Sequence, residues 1–265
     1  MTEDPATRWV AVPPGRLEPD GRPRVFCLPH AGGDTGTYQT WADPLADTAQ
    51  VLPVVLPGRG KRYGEPPLTG MPALAGALAQ GLLPLADVPY CLFGHSLGAV
   101  VAFEAARELT LLGRPPSLLV ASGSPPPAAA AAAGRDRHLL PDDQFLQAVL
   151  AIGGTTPETL EEPELLELVL PRLRADYAVA ETYRFAGTGP ALPCAVRTYH
   201  GARDDSVRPD AAAAGWGALS TAGPMPPRVF SGGHFYLAGN RQAVTAALRD
   251  DLALARTAGS GAARR

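Results

Sequence analysis

The segment Gly94-His95-Ser96-Leu97-Gly98 places a serine between two glycines, with an apolar run on each side. A serine at a tight strand-to-helix turn forms a nucleophile elbow, in which a strained backbone lifts the hydroxyl above the sheet. The alternative is a serine that caps an ordinary helix after a glycine turn. A nucleophilic serine also requires a base and an acid elsewhere in the chain.

His234 is the predicted base. It lies in Gly-Gly-His-Phe directly after an apolar strand pattern, and the chain order serine, acid, histidine is typical of a nucleophile elbow. The imidazole would accept the proton of the serine, which is a poor nucleophile at its ordinary pKa. The other histidines fit less well, because they precede or adjoin the serine, begin an inserted segment or lie inside a strand: His30, His95, His138 and His200.

Asp204 is the predicted acid, and Asp205 is the alternative. The spacing from Gly201 to Asp204 turns the chain over the end of a strand and presents the carboxylate to the histidine loop. The end of the preceding strand, residues 121–127, carries no carboxylate. The acid would hold the imidazole in one tautomer and stabilise it once it is protonated.

The loop Leu-Pro-His-Ala-Gly-Gly, residues 28–33, follows an early strand pattern. Its glycines allow the backbone to approach a substrate closely, so we expect the N–H groups of Ala31 and Leu97 to form an oxyanion hole. A plain glycine turn is the alternative. A phosphate-binding loop fits poorly, because no lysine follows the glycines and the G-x-G-x-x-G spacing is absent from this segment.

Short buried-strand patterns alternate with helical patterns and would position these residues. Strands buried on both faces and separated by helices favour an α/β fold with a mostly parallel central sheet flanked by helices. An internal proline suggests that the second strand begins late. The predicted strands are 24–30, 50–58, 90–96, 117–123, 194–201 and 227–233, and the predicted helices are 71–86, 97–112 and about 240–256.

About 70 residues separate the fourth and fifth predicted strands, more than a crossover requires. The alanine-rich stretch 125–134 fits either a flexible linker or a helical turn, and helical patterns follow at 142–154 and 162–183. We expect a helical lid folded over one end of the sheet. The predicted organisation is a single domain, 1–265, with its core at about 22–125 and 190–256, the lid insertion at about 126–189 and a disordered tail at 257–265.

Composition limits the class of protein. The 23 basic residues are scattered and balanced by 26 acidic ones, which argues against a nucleic-acid-binding surface. The N-terminus lacks the apolar core of a signal peptide, and no apolar stretch reaches the ~20 residues of a membrane span. Three cysteines in apolar runs, Cys27, Cys91 and Cys194, indicate buried, reduced thiols in a cytoplasmic protein. No coiled coil or long apolar edge compels a dimer, so we expect a monomer.

The chain contains five segments: FCLPHAGG followed by a tyrosine and a tryptophan, LPGRGKRYGEP, LFGHSLGA, HGARDDSV and SGGHFYL. Together they resemble the type II thioesterases of polyketide and non-ribosomal peptide biosynthesis. The elbow by itself indicates only the α/β-hydrolase superfamily, whereas the first two segments are more specific. The resemblance runs from about residue 22 to 253. One departure is Gly60-Lys61, where the family pattern has an acidic residue after Arg59, so the resemblance assigns no role in lid or carrier contacts to Arg59.

The resemblance implies an enzyme that hydrolyses acyl thioesters on the phosphopantetheine arm of acyl or peptidyl carrier proteins, without a metal or organic cofactor. Its triad would map onto Ser96, Asp204 and His234, with Ala31 and Leu97 as oxyanion donors. A medium-chain acyl-carrier-protein hydrolase, a general carboxylesterase on the same fold and a non-catalytic binding protein are the alternatives.

The insertion carries more apolar residues than a solvated segment needs. They are Phe145, Leu146, Val149, Leu150, Leu165, Leu168 and Val169. Some of them would line an apolar acyl chamber, whereas packing between lid helices is the alternative. We expect Phe145, Val149 and also His30 to contact the substrate.

Overall fold

Six parallel strands form the centre of the molecule, in the order β2-β1-β3-β4-β5-β6. The computed structural model describes residues 7–12, 17, 20–132, 136–152, 163–189 and 191–262. The strands are β1 (Arg24–Leu28), β2 (Gln50–Pro53), β3 (Tyr90–His95), β4 (Leu118–Ser122), β5 (Ala195–Gly201) and β6 (Arg228–Phe230).

Helices cover both faces of this sheet. Phe26 and Leu92 point into one apolar core, and their neighbours Cys27 and Phe93 point into a second core on the opposite face. This alternation puts apolar side chains on both faces of the strands, as a doubly covered parallel sheet requires. The helices are α1 (Gly36–Gln39), α2 (Met71–Leu82), α3 (Leu97–Leu111), α4 (Pro127–Ala132), α5 (Asp142–Leu150), α6 (Pro163–Thr182), α7 (Pro209–Gly217) and α8 (Arg241–Ala262).

The predicted α/β class is confirmed, but the prediction for the second strand is wrong. Strand β2 begins at Gln50 and ends at Pro53, so the proline closes the strand instead of delaying it. This is possible because β2 lies at the edge of the sheet, where a missing backbone N–H is tolerated. Beyond it, Val10 forms an isolated antiparallel bridge with Val54.

The chain between β4 and β5 is helical in its described parts. The alanine-rich stretch forms α4, so it is helical and not a flexible linker in its described part. Residues 133–135, 153–162 and 190 lie outside the described residues. Helix α8 continues to Ala262, so the prediction of a disordered tail is wrong for residues 257–262. Extending an existing helix adds one hydrogen bond per residue without a new nucleation cost. Residues 263–265 lie outside the described residues.

All three cysteines are buried and free. Burial raises the pKa of the Cys27 and Cys91 thiols well above the ordinary value, and that of Cys194 to about 12. They are therefore uncharged packing groups at neutral pH. Within the described part of the chain, none of the helices combines the length and apolar character needed to cross a membrane.

Two glycines of helix α2 should respond oppositely to alanine. A Cβ at Gly76 meets no atom within 4 Å, whereas one at Gly81 would lie 2.1 Å from Cδ1 of Trp9. Gly76→Ala should raise the free energy of unfolding by about 0.5–1 kcal/mol, because alanine loses less backbone entropy in a helix. Gly81→Ala should lower it by roughly 1–3 kcal/mol through overpacking. Urea unfolding of both variants measures this, and shifts of the same sign would contradict it.

Candidate active site

Ser96 occupies a strained turn between β3 and α3. Its φ is 56° and its ψ is −119°, and it is the one non-glycine residue with positive φ in the described part of the chain. Such a conformation costs on the order of 1–3 kcal/mol. The side chain makes no capping hydrogen bond to helix α3, so the helix-cap alternative is wrong. The turn instead holds the hydroxyl above the carboxyl end of β3.

Gly94 and Gly98 permit this turn because backbone atoms fill the space of their side chains. A Cβ on Gly94 would lie 2.1 Å from the carbonyl oxygen of Gly98. A Cβ on Gly98 would lie 2.5 Å from the carbonyl oxygens of both Leu28 and Pro29. The elbow therefore packs directly against the end of β1, which brings the loop that follows β1 beside Ser96.

Asp204 follows β5 and His234 follows β6, so both lie at the carboxyl ends of the strands, as Ser96 does. The distance between His234 Nδ1 and Asp204 Oδ2 is 2.8 Å. The other carboxylate oxygen accepts hydrogen bonds from the backbone N–H and the hydroxyl of Ser206. Asp205 is exposed, so the structure places the first of the two candidate acids against the imidazole.

The environment of Asp204 keeps it ionised. Burial by itself would raise the pKa of this carboxyl group, but the hydrogen bonds from His234 and Ser206 favour the charged form and hold the pKa below its ordinary value. The carboxylate can therefore accept the Nδ1 proton of His234 at neutral pH. That leaves Nε2 as the ring nitrogen free to act as a base.

A cavity of about 460 Å³ brings the predicted groups together. Ser96, His234, Ala31 and Leu97 all contribute to its wall. No hydrogen bond joins the Ser96 hydroxyl to His234 in the described part of the structure; such bonds commonly tighten only when substrate binds. The arrangement has the components of nucleophilic acyl transfer: a strained serine, an imidazole oriented by a carboxylate, and two backbone segments beside them.

A model of the thioesterase domain matches residues 23–252. The chain belongs to the thioesterase family. It is 38% identical to "Thioesterase PikA5" of Streptomyces venezuelae over 83% of this chain and 77% of that protein. It is 33% identical to "Gramicidin S biosynthesis protein GrsT" of Aneurinibacillus migulanus over 69% of this chain and 72% of that protein.

Solved structures agree with this assignment. The type II thioesterase BorB from the borrelidin biosynthetic cluster superposes with a TM-score of 0.80 and 36% identity, covering 92% of this chain and 97% of BorB. YbtT, a type II thioesterase from the yersiniabactin pathway, superposes with a TM-score of 0.79 and 30% identity, covering 90% and 96% of the two chains. The resemblance to type II thioesterases and the α/β-hydrolase fold are thus confirmed.

Two further histidines of the thioesterase, His95 and His30, form a cluster of rings with His234. The His95 ring lies 5.1 Å from that of His234, and its Nδ1 lies 2.8 Å from Ser122 Oγ, which lies 2.7 Å from the hydroxyl of Tyr236. Burial, reinforced by the imidazoles of His234 and His30, holds the pKa of His95 well below its ordinary value. Burial, reinforced by the His234 imidazole and the Arg59 guanidinium, lowers the pKa of His30 to about 4. Both rings are therefore neutral at pH 7 and do not repel a proton on His234.

Three residues were predicted to contact the substrate: His30, Phe145 and Val149. The His30 ring packs against Phe235 and His95, with centroid distances of 5.0 and 5.8 Å, at the base of the loop after β1. Phe145 and Val149 are fully buried in a cluster between the helices of the insertion. They are not among the described wall residues of the cavity, but the Phe145 ring lies 5.2 Å from that of Tyr177, which is one of them. In this structure both side chains pack between the helices, as one face of an amphipathic helix does, and their contact with substrate stays a prediction.

The insertion nevertheless forms part of the cavity wall through other residues. Tyr177 and Ala180 of helix α6 contribute to the wall, together with Ile152 after α5. Met71 from α2 and Val100 from α3 also line the cavity. The sequence offered no signal for which face of α6 would turn inward, since its apolar residues occur on several faces of the helix.

One contact of the thioesterase site was missed entirely by the sequence patterns. Asp176 of helix α6 accepts a hydrogen bond from the Gly32 N–H at 2.7 Å and from Arg59 at 2.6 Å. Because the sequence departs from the family pattern at Gly60-Lys61, the resemblance did not predict a contact between Arg59 and the insertion. In the described residues, no three histidine, cysteine, aspartate or glutamate side chains are arranged to hold a metal ion.

Proposed function

We propose that this thioesterase hydrolyses acyl groups from the phosphopantetheine arm of carrier proteins that serve a polyketide or non-ribosomal peptide synthase. The observation that carries the proposal is the convergence of an elbow serine and an Asp204-oriented His234 on one cavity. The relatives support the substrate class, since their names refer to gramicidin S and borrelidin biosynthesis. Its role there is to clear acyl groups from stalled carriers.

The first half of the reaction forms an acyl-enzyme. Ser96 Oγ attacks the thioester carbonyl carbon while His234 Nε2 takes the hydroxyl proton. The carbonyl oxygen becomes an oxyanion, which accepts hydrogen bonds from the N–H groups of Ala31 and Leu97. When the intermediate collapses, the carbon–sulfur bond breaks and His234 returns the proton to the departing pantetheine thiol.

The second half of the reaction releases the acid. His234 removes a proton from a water molecule, whose oxygen attacks the acyl-enzyme carbonyl and forms a second oxyanion in the same site. Collapse of this intermediate breaks the ester bond to Ser96, and the imidazole returns the proton to the serine oxygen. Asp204 stabilises the imidazolium in both halves, and the positive end of the α3 dipole favours each oxyanion.

The wall of the cavity suits an acyl chain. The side chains that line it are mostly apolar, and the insertion supplies part of them. Apolar walls with a few polar groups beside the reacting atoms are typical of sites that bind extended hydrophobic ligands. We therefore assign the insertion the role of a lid over the acyl chamber.

Parallel assays distinguish this proposal from a general carboxylesterase. The protein is incubated with acyl-carrier proteins bearing short, medium and long acyl groups, and separately with p-nitrophenyl esters of the same acids. We expect a higher kcat/KM with the carriers. Rapid cleavage of the simple esters with inert carriers would overturn the proposal in favour of the esterase, while activity confined to medium-chain carriers would identify the medium-chain hydrolase.

Narrowing the chamber should shift its preference toward shorter acyl groups. Ala180 lines the cavity from α6, whereas Ala178, two residues earlier, is partly exposed and lies outside the described wall. Ala180→Leu should lower kcat/KM for long acyl groups by about tenfold relative to short ones, a loss that a clash worth 1–2 kcal/mol produces. Ala178→Leu is the matched control, and an equal shift in both variants would remove the chamber assignment.

A further inference from the structure

The loop that carries the proposed donor Ala31 is held at the two residues that follow it. The Gly33 N–H donates to the His30 carbonyl at 2.9 Å, which closes a tight turn, and Gly32 adopts a positive φ of 76°. The Gly32 N–H donates to Asp176 Oδ2, and the Gly33 carbonyl accepts a hydrogen bond from Arg59 Nη1 at 2.8 Å. The direction of the Ala31 N–H therefore depends on groups outside the loop.

Those two outside groups are bonded to each other. Arg59 Nη2 lies 2.6 Å from Asp176 Oδ1, so the guanidinium and the carboxylate close a ring of hydrogen bonds with Gly32 and Gly33. Arg59 comes from the loop after β2, and Asp176 comes from helix α6 of the insertion. The ring thus ties three separate segments of the chain together beside the cavity.

The pair is buried, which makes a purely stabilising role a poor explanation. The side chains of Arg59 and Asp176 are 1% and 5% exposed. Removing both charges from water costs several kcal/mol, and an apolar pair of similar size often folds equally well. What a fully bonded charged pair adds is directionality, since its donors and acceptors fix the peptide groups that they contact.

Helix α6 also touches the loop through packing. A Cβ on Gly32 would lie 2.6 Å from Cδ1 of Leu173, one turn before Asp176. The helix therefore lies directly on the loop, with no space for a side chain between them. A displacement of α6 would move the Asp176 carboxylate and release the Gly32 N–H together.

We propose that Asp176 and Arg59 are positioning residues that couple the lid to the oxyanion hole, so that the Ala31 donor is in place only while helix α6 is docked. This inference rests on the proposed function, since it assumes that Ala31 binds the oxyanion. It gives the insertion a second role beside that of chamber wall, because an open lid would leave Ser96 with an incomplete oxyanion hole.

The test uses a double variant that removes both charges and retains side-chain volume. Arg59→Met with Asp176→Leu leaves no unpaired buried charge, and its fold is checked by circular dichroism and thermal unfolding. If the double variant fails to unfold cooperatively, Asp176→Asn, which keeps the size of the side chain, is measured in its place. Asp142→Asn is the control, since Asp142 forms an ion pair with Arg174 within the insertion and is 68% exposed.

Three quantities separate a positioning role from a general loss of structure. They are kcat for acyl-carrier hydrolysis, the Kd of an alkyl boronic acid, and the Kd of a non-hydrolysable acyl-pantetheine amide. The tetrahedral boronate adduct of Ser96 carries its negative charge where the oxyanion forms, whereas the amide reports binding of uncharged substrate. We expect kcat to fall and the boronate Kd to rise by about 10- to 100-fold, below the full loss of a donor, with the amide Kd and the control within threefold.

Two results would overturn the inference. One is a folded variant whose kcat and boronate affinity stay within threefold of wild type, and the other is an equal loss of affinity for boronate and amide. Either outcome leaves the proposed function standing as long as the wild-type protein hydrolyses acyl-carrier thioesters. Failure of the wild-type protein in that assay would instead remove the proposed function itself.

Discussion

Ser96→Ala should reduce kcat/KM for acyl-carrier hydrolysis by roughly 10⁴- to 10⁶-fold, the scale seen when the nucleophile of a hydrolytic triad is removed. The variant should fold as well as the wild type, because the hydroxyl makes no capping hydrogen bond to α3 and alanine meets the same backbone strain at φ 56°. Binding of the acyl chain should persist, since the cavity wall is unchanged. Steady-state assays of thiol release and an unfolding curve measure the two expectations.

Ser117→Ala is the matched control for this substitution. Ser117 directly precedes β4, at the amino ends of the strands, whereas Ser96 lies at their carboxyl ends. The Ser117 backbone N–H donates to the Tyr90 carbonyl, and the substitution leaves that bond in place. Its kcat/KM should stay within threefold of wild type. A Ser96→Ala enzyme that retains more than about a tenth of the wild-type activity would remove the serine from the chemistry.

Asp204→Asn should lower kcat by roughly 10⁴-fold with little change in KM, by analogy with the same substitution in a serine protease triad. The carboxylate Oδ2 lies 2.8 Å from His234 Nδ1, and it selects the tautomer that leaves Nε2 unprotonated. An amide can instead donate to Nδ1, which places the proton on Nε2 and blocks the base. Pre-steady-state measurement of acylation separates this effect from product release.

Asp205→Asn tests the alternative acid. Asp205 is exposed, so its substitution should change kcat by less than threefold. Equal losses in the two variants, or a larger loss at Asp205, would contradict the assignment of the acid to Asp204.

Acid unfolding gives a second readout for Asp204. Its pKa is lower in the folded protein than its ordinary value, so its ionised form contributes stability above about pH 4 that is lost as the pH falls through the folded pKa. Asp204→Asn should therefore flatten the decline of unfolding free energy below pH 4. A decline as steep as that of the wild type would contradict a stabilised carboxylate.

The elbow and the residues placed around it were accessible to sequence reasoning because each depends on local structure and chain order. A serine between Gly94 and Gly98 predicts its own turn, and parallel strands bring the loops that follow them to one edge of the sheet. For this reason Asp204 and His234 could be expected to lie near Ser96, although they follow it by more than 100 residues. The choice between Asp204 and Asp205 needed coordinates, since one residue changes the direction of the side chain.

Contacts made by the insertion were not accessible in the same way. Phe145 and Val149 looked equally suited to a chamber wall and to helix packing, because apolarity does not specify the partner. Asp176 and Arg59 lie more than 100 residues apart, and neither stands in a pattern that indicates a contact. Helix α7 was also missed, since the alanine-rich segment Pro209–Gly217 shows no apolar periodicity although it buries Trp216.

Strand and helix ends were the least predictable features. Pro53 looked like a residue that delays a strand, and its position became explicable only once β2 was found at the sheet edge. Helix α8 extends to Ala262, beyond its predicted end at about residue 256. The strand end thus depends on the place of β2 in the whole sheet, whereas the helix end depends on propagation of a helix that has already formed.

Trapping the covalent intermediate tests the central claim most directly. The protein is mixed with an acyl-carrier protein, quenched in acid within milliseconds and digested, and the peptides are identified by mass spectrometry. We predict that the peptide containing Ser96 gains the mass of the acyl group before free acid appears, and that Ser96→Ala shows no such adduct. Turnover of the carrier thioester with the acyl group on another residue, or with no adduct at any time, would contradict the account.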